Sequence, residues 1–373
     1  MKVLHILNEL KHSGAEVQLH RAYERFRSSG IESHILSTGS QVGGYAAILR
    51  QTGYLIHHIP FRKSPGFFIE LRSLLTRERF SAIHIHTERA FIWYVFLAKL
   101  SGVPTVVRTF RNSFLFSPYL RWKRRLHRKI SKKIFHAVHT AISDSVLAVE
   151  KDLFDNDCLL VRNWTDVDLF RPPTAEERTA ARRLYHLTPD HFSVVTVGAC
   201  IPEKNHLAVF SAVKKANMSL HRGKLVVLHV GAGPSLEEEA SYASRNAIEP
   251  YCKFLGVLDD VRPCLYAGDV FAMTSLREGL GVAAMEAMST GLPAILYNVY
   301  GLRDLLQHGD GGLLVDPNEE CLVEAFLQMS SNPALRYRKA SEARETILRN
   351  YSLEDSVAKF IRLYSKGRLI EKA

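Results

Sequence analysis

The stretch VFAMTSLREGLGVAAMEAMSTGLP, residues 270–293, contains the pattern that repeats through this chain. VFAMTS is a short apolar run typical of a buried strand, LREGLG is a turn with two glycines, and VAAMEAM is typical of a helix. Gly291 and Pro293 are usual signals for the end of a helix. The stretch therefore predicts a strand, a turn and a helix in succession, which is the first part of a βαβ unit.

The same alternation of short Val- and Ile-rich runs with helix-length segments extends in both directions from this stretch. It is typical of parallel sheets that are buried on both faces. The segment RNWTDVDLFRPPTAEER interrupts the alternation and is predicted to be a linker. The predicted strands are VLHIL, SHILST, LIHHIP, AIHIH, TVVRTF and HTAIS before the linker, and VVTVGA, LVVLHVG, CKFLG, VFAMTS, PAILY and GLLVD after it.

This organisation predicts an α/β protein with two Rossmann-like domains, because 373 residues exceed what one hydrophobic core usually supports. We expect an N-terminal domain over 1–168, a C-terminal domain over 169–350, and a last helix over 351–373 that packs back at the domain junction. Ligands of open parallel sheets bind at the carboxyl ends of the strands. The cleft between two such domains is therefore the expected site.

Composition excludes several classes of protein. With 46% hydrophobic and 23% charged residues, the chain is expected to be globular and not disordered. No apolar run reaches the length of a membrane span, and MKVLHILNEL is too short and polar for a signal sequence, so we expect a cytoplasmic protein that begins with a strand. The five cysteines form no Cys-x-x-Cys pair and are expected to be reduced thiols.

The net charge of +11 is concentrated in the first half of the chain. Through Pro172 there are 26 Lys and Arg against 14 Asp and Glu, whereas the remainder has 23 against 24. This asymmetry indicates that the N-terminal domain faces an anionic partner.

The most cationic segment, YLRWKRRLHRKISKKIF, carries eight Lys or Arg from Arg121 to Lys133. Trp122, Leu126, Ile130 and Ile134 recur every four residues and form an apolar stripe, which we expect to pack in part on the core of the N-terminal domain. A basic helix of this kind also suits an anionic membrane surface. Nucleic acid is not expected, because no recognition motif accompanies the charge.

The turn and helix of the opening stretch predict a phosphate site. Backbone N–H groups of Gly279, Leu280 and Gly281 are expected to point out of the helix N-terminus, where an anion is favoured. Glu278 and Glu286 could then accept hydrogen bonds from the hydroxyl groups of a ribose and a hexose. The alternative is that Glu278 caps the helix and Glu286 is exposed.

Two other turns between a strand and a helix contain candidate residues. VGACIPEKNH places Lys204 where its ammonium could neutralise a diphosphate leaving group, although a lone lysine could equally be a surface residue. LNELKHSGAEVQLH places Gly14 where the absence of a side chain permits close approach of a phosphate. Ordinary turns use glycine at this place too.

The chain resembles the GT-B fold glycosyltransferases of the large retaining family 4 along nearly its whole length. The Glu-x7-Glu motif of that family is matched by Glu278 and Glu286, its opening turn by SGAE, its basic loop by PEKN and its C-domain strand motif by VGAGP. The resemblance implies two Rossmann-like domains facing across a cleft. It also implies transfer of a sugar with retention from a UDP-, GDP- or ADP-sugar, without a cofactor or an essential metal.

The resemblance also implies roles for particular residues. Glu286 would bind the ribose of the donor, Glu278 would lie near the transferred sugar, and Lys204 would contact the diphosphate. Gly198 before the basic loop and Gly231 in VGAGP are the further residues expected on the donor side.

The chain departs from the family pattern at two positions. Family members commonly have an arginine directly after the glycine of the basic loop, where this chain has Ala199, and a histidine after the fifth strand, where RTFRN has Arg111. Because a guanidinium stays protonated, Arg111 cannot act as a base. We expect it to supply the missing charge to the phosphates or to orient the acceptor, with Arg108 as a competing candidate.

Two motifs resemble metal sites. HIHTE places His84, His86 and Glu88 on one face of a strand, a spacing that would suit two histidines and one carboxylate on a metal. We expect instead that His86 lines the acceptor side of the cleft and that His84 is buried. DVD, Asp166 to Asp168, imitates the metal-binding motif of the GT-A fold, but it lies in the linker and is expected to form a helix cap or a turn.

The expected function is transfer of a hexose-type sugar to a glycan or lipid-linked acceptor in bacterial cell-surface polysaccharide synthesis, such as lipopolysaccharide or capsule. The protein is expected in the cytoplasm, peripherally on the inner face of the membrane, with Glu278, Lys204 and Arg111 as the catalytic residues. Two alternatives stay open. One is a GT-B nucleotide-sugar epimerase, and the other is a non-catalytic protein that uses the basic helix to dock on a membrane or partner.

Overall fold

The computed structural model describes residues 1–112, 116–220, 224–307 and 311–370. The chain divides into two compact units: unit 1 consists of Met1–Trp164 with Leu353–Ala373, and unit 2 consists of Thr165–Ser352. The division lies inside the predicted linker, just before residue 168. The last helix belongs to unit 1, and residues 371–373 of its predicted range lie outside the described residues.

Strands and helices alternate in both units. The strands of unit 1 are β1 Lys2–Leu7, β2 Glu32–Ser37, β3 Leu55–His58, β4 Ala82–Ile85, β5 Thr105–Phe110, β6 Val138–Ala141 and β7 Leu159–Leu160. The helices between them are α1 Gly14–Ser28, α2 Ala46–Thr52, α3 Pro65–Glu78, α4 Phe91–Leu100, α5 Pro118–Lys133 and α6 Asp144–Phe154.

The strands of unit 2 are β8 His191–Val197, β9 Lys224–Val230, β10 Cys252–Phe254, β11 Val270–Met273, β12 Ala294–Tyr297 and β13 Gly312–Val315. Its helices are α7 Ala175–Leu184, α8 His206–Ser219, α9 Leu236–Arg245, α10 Arg262–Ala267, α11 Val282–Ser289, α12 Arg303–Gln307, α13 Glu319–Ser331 and α14 Pro333–Asn350, with short 3-10 turns at Pro202–Lys204 and Glu249–Tyr251. The chain then returns to unit 1 in α15 Leu353–Ile370.

Both sheets are parallel and reverse their strand order once. Unit 1 has the order β3-β2-β1-β4-β5-β6-β7, and unit 2 has the order β10-β9-β8-β11-β12-β13. The reversals lie between β1 and β4 and between β8 and β11. Ligands of open parallel sheets bind at such switch points, at the carboxyl ends of the strands. The topology therefore identifies one candidate edge in each unit.

Apolar side chains cover both faces of the unit 1 sheet. Side chains of β1 belong to two apolar clusters on opposite faces of the sheet. Val3 and Leu7 belong to the first cluster, and Leu4 and Ile6 belong to the second. This alternation follows from the two-residue period of a strand. Helix α15 adds Phe360 to the first cluster, beside residues of α1. The predicted last helix therefore packs on the sheet of unit 1.

All twelve predicted strands are present, and the fold class predicted from the alternation is confirmed. The sequence pattern missed β7, which consists of Leu159 and Leu160 only. A strand of two residues is too short to show periodicity, and Leu159 is half exposed.

The Asp-x-Asp motif of the linker forms a turn, as predicted. Asp166 Oδ1 accepts hydrogen bonds from the backbone N–H groups of Asp168 at 3.2 Å and Leu169 at 2.9 Å. This bonding of an aspartate to the backbone two and three residues on is typical of a turn. The carboxylate of Asp166 therefore stabilises the turn at the start of unit 2.

The apolar stripe of the basic helix packs inward less than the spacing predicted, since Ile130 is the one of its four residues that is partly buried. In and just after α5, Trp122 is 62% exposed, Leu126 42% and Ile134 64%. The large buried side chain of α5 is that of Arg128, whose Nε and Nη2 donate to the two carboxylate oxygens of Glu150 at 2.6 and 2.8 Å. Because this paired arginine faces inward, most of the apolar stripe faces solvent.

Candidate active site

The switch point of unit 2 brings two turns together. One follows β8 and contains Lys204, and the other follows β11 and contains Glu278. Leu276 N–H donates to the carbonyl of Glu203 at 2.8 Å, and Thr274 Oγ1 donates to the carbonyl of Asn205 at 2.8 Å. These bonds hold the two turns against each other at the carboxyl edge of the sheet.

Lys204 and Glu278 form an ion pair at this edge. Lys204 Nζ contacts Glu278 Oε1, and the two side chains are only 22% and 14% exposed. A partly shielded pair interacts more strongly than one in bulk water. The structure therefore does not favour the reading of Lys204 as an isolated surface lysine.

Helix α11 follows this pair. Its N-cap is Gly281, which has a left-handed φ of 71°, a conformation that glycine adopts without strain. Glu278 lies before this cap and is not the capping residue, and Glu286, one turn into the helix, is only 7% exposed. The alternative in which Glu278 caps the helix and Glu286 is exposed is therefore wrong.

Glycines permit close backbone approach around both turns. A Cβ atom on Gly231, which follows β9, would lie 1.8 Å from the carbonyl oxygen of Gly198. A Cβ atom on Gly301, whose φ is +85°, would lie 2.4 Å from the carbonyl oxygen of Glu278. A side chain at either position would displace the backbone. Gly198 itself lies beside the aliphatic part of Lys204, while Ala199 is exposed.

The chemistry of this edge follows from its groups. An ammonium and a helix N-terminus both favour negative charge, and phosphate is the usual guest. Carboxylates such as those of Glu278 and Glu286 accept hydrogen bonds from hydroxyl groups. Unit 2 therefore combines groups suited to a diphosphate and to a polyhydroxylated ligand.

At the switch point of unit 1, Arg111 directly follows β5 and is held by three side chains. Its Nε and Nη2 donate to His86 Nδ1 at 3.2 and 3.0 Å, and its Nη1 contacts Gln18 Oε1 at 3.1 Å and Asn163 Oδ1 at 3.5 Å. Burial lowers the pKa of Arg111 to about 10, and the nearby Glu16 carboxylate acts in the opposite direction. The guanidinium is still charged at neutral pH.

Three buried histidines lie beside Arg111. His5 Nδ1 and His86 Nε2 are 3.1 Å apart, and His84 contacts the hydroxyl groups of Tyr364 and Thr109, both at 2.6 Å. Burial lowers the pKa of His84 and His86 well below the usual value, and that of His5 to about 3. His84 is buried as predicted, and His86 is buried as well.

The carboxylate of Glu88 does not join these histidines, so the alternative of a two-histidine, one-carboxylate metal site is not supported. Glu88 instead pairs with Arg108 Nη2 at 2.8 Å and with Arg128 Nη1 at 3.1 Å. Arg108 also donates to the carbonyls of Ile85 and Thr109, and its guanidinium is buried. Arg108 therefore lies in an internal ion-pair network.

Gly14 is the first residue of α1 and is exposed, directly after the N-cap Ser13. Two residues later, Glu16 is buried, accepts a hydrogen bond from Ser13 Oγ and has a pKa raised mainly by burial. The opening turn therefore brings an acidic group close to Arg111.

The sequence reasoning missed four residues of these two edges. Gln18 is on the buried face of α1, and Asn163 precedes the division between the units, where it was assigned to the linker. His5 is in the first strand, in register with His84, and Gly301 follows β12. A signal existed for Gln18, because a polar residue on an otherwise apolar helix face usually has a partner.

Comparisons with known proteins identify the family of the chain. Residues 12–156 match the model of Glycosyltransferase Family 4, and residues 191–332 match that of Glycosyl transferases group 1. The UDP-Gal:alpha-D-GlcNAc-diphosphoundecaprenol alpha-1,3-galactosyltransferase of Escherichia coli is 26% identical over 322 residues, which are 83% of this chain and 81% of that protein.

Two solved structures have the same fold. A glycosyltransferase from Rickettsia africae ESF-5 has a TM-score of 0.84 at 16% identity, covering 98% of each chain. Anabaena Alr3699/HepE, solved in complex with UDP-glucose, has a TM-score of 0.80 at 17% identity, covering 97% of this chain and 99% of that one. With both units matched by models of one enzyme class and the GT-B fold confirmed, the chain belongs to the glycosyltransferases of group 1 and family 4.

Proposed function

We propose that this glycosyltransferase transfers a hexose-type sugar, with retention, from a nucleotide diphosphate sugar to a lipid-linked or glycan acceptor in bacterial cell-surface polysaccharide synthesis. The observation that carries the proposal is the contact of Lys204 with Glu278 directly before helix α11, with Glu286 buried one turn into that helix. This arrangement offers a cation and a helix N-terminus to a diphosphate, and two carboxylates to sugar hydroxyl groups.

In this proposal unit 2 binds the donor. Glu286 accepts hydrogen bonds from the ribose, and Glu278 lies near the transferred sugar. Lys204 and the helix N-terminus stabilise the diphosphate as it departs. The absence of a side chain lets the backbone approach the phosphates closely at Gly198 after β8, at Gly231 after β9 and at Gly279 and Gly281 after β11, with Leu280 between the last two.

The proposed chemistry needs no protein nucleophile. The bond between the anomeric carbon and the diphosphate oxygen breaks, and its electron pair goes to the diphosphate. The acceptor oxygen forms the new bond on the same face of the sugar, and its proton passes to the departing diphosphate. Lys204 and Arg111 supply positive charge for the leaving group, so that the reaction is proposed to need no metal ion.

Unit 1 is proposed to supply Arg111 to the phosphates or the acceptor. Its contacts with His86 and Gln18 fix the orientation of the guanidinium. Gly14 remains a candidate for close approach of a phosphate at the start of α1. Arg108 is the weaker of the two arginine candidates, because its guanidinium is buried beside Glu88.

UDP-sugars are the preferred donors in this proposal. The E. coli relative is named for UDP-Gal, and the Anabaena structure of the same fold contains UDP-glucose. GDP- and ADP-sugars are the other candidates.

A lipid-linked acceptor is proposed because of a groove in unit 1. The groove has a volume of about 410 Å³ and lies beside α4 and α5. Cationic and aromatic side chains both line it, which suits an anionic head group joined to an apolar chain. They include Arg62, Lys63, Arg89, Lys123 and Arg124, with Phe61 and Trp93.

The outer surface of α4 and α5 is proposed to rest on an anionic membrane. Exposed basic residues of α5, such as Lys123, Arg125 and Lys133, alternate in sequence with exposed apolar side chains, and cations near an anionic bilayer favour binding. None of the described helices has the length and hydropathy needed to cross a membrane. The proposal is therefore peripheral binding on the cytoplasmic face. The exposed apolar residues are Trp93, Phe96, Leu100, Tyr119, Trp122, Leu126 and Ile134.

The experiment that tests this function measures release of nucleoside diphosphate with and without acceptor. The wild type is incubated with UDP-galactose or UDP-glucose and with detergent-solubilised undecaprenyl diphosphate carrying a single sugar. Acceptor-dependent release of UDP and a lipid-linked disaccharide with the α-configuration of the donor are expected. Epimerised sugar formed without acceptor would instead indicate an epimerase, and donor binding without either product would indicate a non-catalytic protein.

A further inference from the structure

Four side chains of types that bind metals meet beneath the glycine turns of unit 2, and the proposed transfer uses none of them. Cys200, His206, His229 and Glu239 are all buried, and their donor atoms lie within 4.8 Å of one another. They come from the turn after β8, the first residue of α8, β9 and α9. Four separate segments of the unit therefore converge on one point.

The distances in this cluster are close to those of a tetrahedral site. His206 Nδ1 is 3.0 Å from Glu239 Oε1, His229 Nε2 is 3.1 Å from Glu239 Oε2, and Cys200 Sγ is 3.4 Å from His229 Nε2. Ligand atoms around a tetrahedral zinc ion lie roughly 3.3–3.8 Å apart, given bond lengths of about 2.0–2.3 Å. The remaining pairs of donor atoms lie within 4.8 Å of each other, so shifts of up to about 1 Å would admit an ion.

The carboxylate of Glu239 lies at the centre of this cluster. It faces the rings of His206 and His229, and all of these side chains are buried. His229 Nε2 faces both the thiol of Cys200 and the carboxylate of Glu239, and a single nitrogen cannot donate to one and accept from the other in the same tautomer. An ion bound between the three groups would be a shared partner for all of them.

We propose that Cys200, His206, His229 and Glu239 form a structural zinc site. A thiolate and two imidazoles select zinc over magnesium or calcium, which prefer oxygen ligands. The negative charges of the thiolate and the carboxylate balance the two positive charges of the ion, so that the buried site is neutral. All four ligands are protein side chains, which is the pattern of structural and not of catalytic zinc.

The ion ties together the segments that carry the proposed donor site. Lys204 lies two residues before His206, and Gly231 lies two residues after His229. The ideal Cβ position of Gly198 is 3.3 Å from His206 Nε2, so the ring of this ligand also supports the turn after β8. Zinc is therefore expected to stabilise unit 2 and its turns without entering the transfer reaction. This inference stands independently of the proposed function.

The first test measures metal in the wild-type protein, purified without metal-affinity chromatography. Elemental analysis is expected to find one zinc ion per chain. Removal by a chelator is expected to lower the melting temperature by on the order of 10 °C, relative to protein with zinc at about a thousand times its Kd. Replacement by Co²⁺ is expected to give a thiolate-to-cobalt charge-transfer band in the near ultraviolet.

The second test uses Cys200→Ser and Glu239→Gln, with Cys264→Ser as the matched control, since Cys264 is another buried free thiol of unit 2. Cys200→Ser is expected to lose the cobalt charge-transfer band and at least 100-fold in zinc affinity, and Cys264→Ser is expected to keep both. A wild type that holds no zinc and gives no such band with stoichiometric Co²⁺ would overturn the proposal. Equal zinc binding by all three variants would also overturn it, as would an unchanged melting temperature after chelation.

Discussion

Lys204 and Glu278 are 74 positions apart in sequence, and the ammonium of the first contacts the carboxylate of the second. They meet because β8 and β11 are neighbours in the sheet of unit 2, so that the turns that follow these strands share one edge. A diphosphate bound at this edge would compete with Glu278 for the same ammonium. The pair thus holds the cation in place where the leaving group is proposed to form.

Replacing Lys204 with methionine is predicted to lower kcat by about 10² to 10³-fold, because the departing diphosphate loses one positively charged donor. Steady-state kinetics with the preferred donor measure the effect. Lys214→Met is the matched control, since Lys214 lies on α8 of the same unit and its Nζ contacts Asn246. A turnover of Lys204→Met within twofold of the wild type would remove Lys204 from the catalytic residues.

Substitutions of Arg111 and Arg108 are predicted to have different effects on activity and stability. Arg111→Gln should lower kcat at least tenfold, because the change removes the charge proposed to act on substrate. The protein should keep most of its stability, because the side chains that Arg111 contacts are the uncharged ones of His86, Gln18 and Asn163. Arg108→Gln should lower the free energy of unfolding by about 3 kcal/mol, because it leaves the carboxylate of Glu88 with one fewer buried partner. Parallel kinetic and urea-unfolding measurements separate the two effects, and the reverse pattern would exchange the two assignments.

Unit 1 is predicted to lose stability as the pH falls below about 6.5. Burial lowers the pKa of His5 to about 3 and that of His139 to about 4 in the folded protein, whereas an unfolded histidine titrates near 6.5. At a pH between the folded and the unfolded pKa of these histidines, the unfolded state binds more protons than the folded state. The stabilisation is therefore complete above about pH 6.5 and is lost as the pH falls toward 4, by about 1.4 kcal/mol per pH unit for each histidine.

Tryptophan fluorescence can follow this loss, because all three tryptophans of the chain, Trp93, Trp122 and Trp164, are in unit 1. The free energies of unfolding from urea titrations are compared at about pH 7.5 and about pH 5.5. His139→Gln should reduce the difference between these two free energies by roughly 1 kcal/mol, whereas His12→Gln, at an exposed position, should leave it unchanged. A free energy of unfolding that does not depend on pH in this range would contradict burial of neutral histidines.

Binding to anionic vesicles is predicted to depend on the exposed surface of α5. The double variant Lys123→Gln with Lys133→Gln should weaken binding by roughly 10-fold or more, because each cation near the surface contributes about 1 kcal/mol. Trp122→Ser with Leu126→Ser should weaken it further by removing exposed apolar area.

The matched control for the apolar variant is Met218→Ser, at a position of unit 2 that is 79% exposed. Sedimentation with vesicles that contain phosphatidylglycerol, compared with neutral phosphatidylcholine vesicles, measures the binding. Unchanged sedimentation of both double variants would remove the membrane proposal.

Much of the donor side could be predicted from sequence, because its residues lie in turns directly after strands whose periodicity is clear. In a parallel sheet, the turns that follow the strands all lie at the same edge, and Lys204 and Glu278 are both in such turns. The burial of Glu286 also follows from its place on a helix that is apolar on most sides.

The arrangement of α5 could not be predicted in this way. A four-residue apolar spacing predicts an inward stripe, but the inward side chain is Arg128, whose partners Glu88 and Glu150 are distant in sequence. Long-range charge pairing overrides helical periodicity here. His5 likewise joins His86 only because β1 and β4 are adjacent in the sheet, and nothing near His5 in the sequence indicates this.

The central claim, that unit 2 binds a nucleotide sugar through Glu286, is tested most directly by thermal stabilisation with UDP-, GDP- and ADP-sugars. We predict that one of these donors, most readily a UDP-sugar, raises the melting temperature of the wild type and of the control Glu324→Ala, an exposed glutamate of α13. Glu286→Ala should show little or no rise at the same concentration. If no nucleotide sugar stabilises the wild type, or if Glu286→Ala responds as the wild type does, the proposed donor site is wrong.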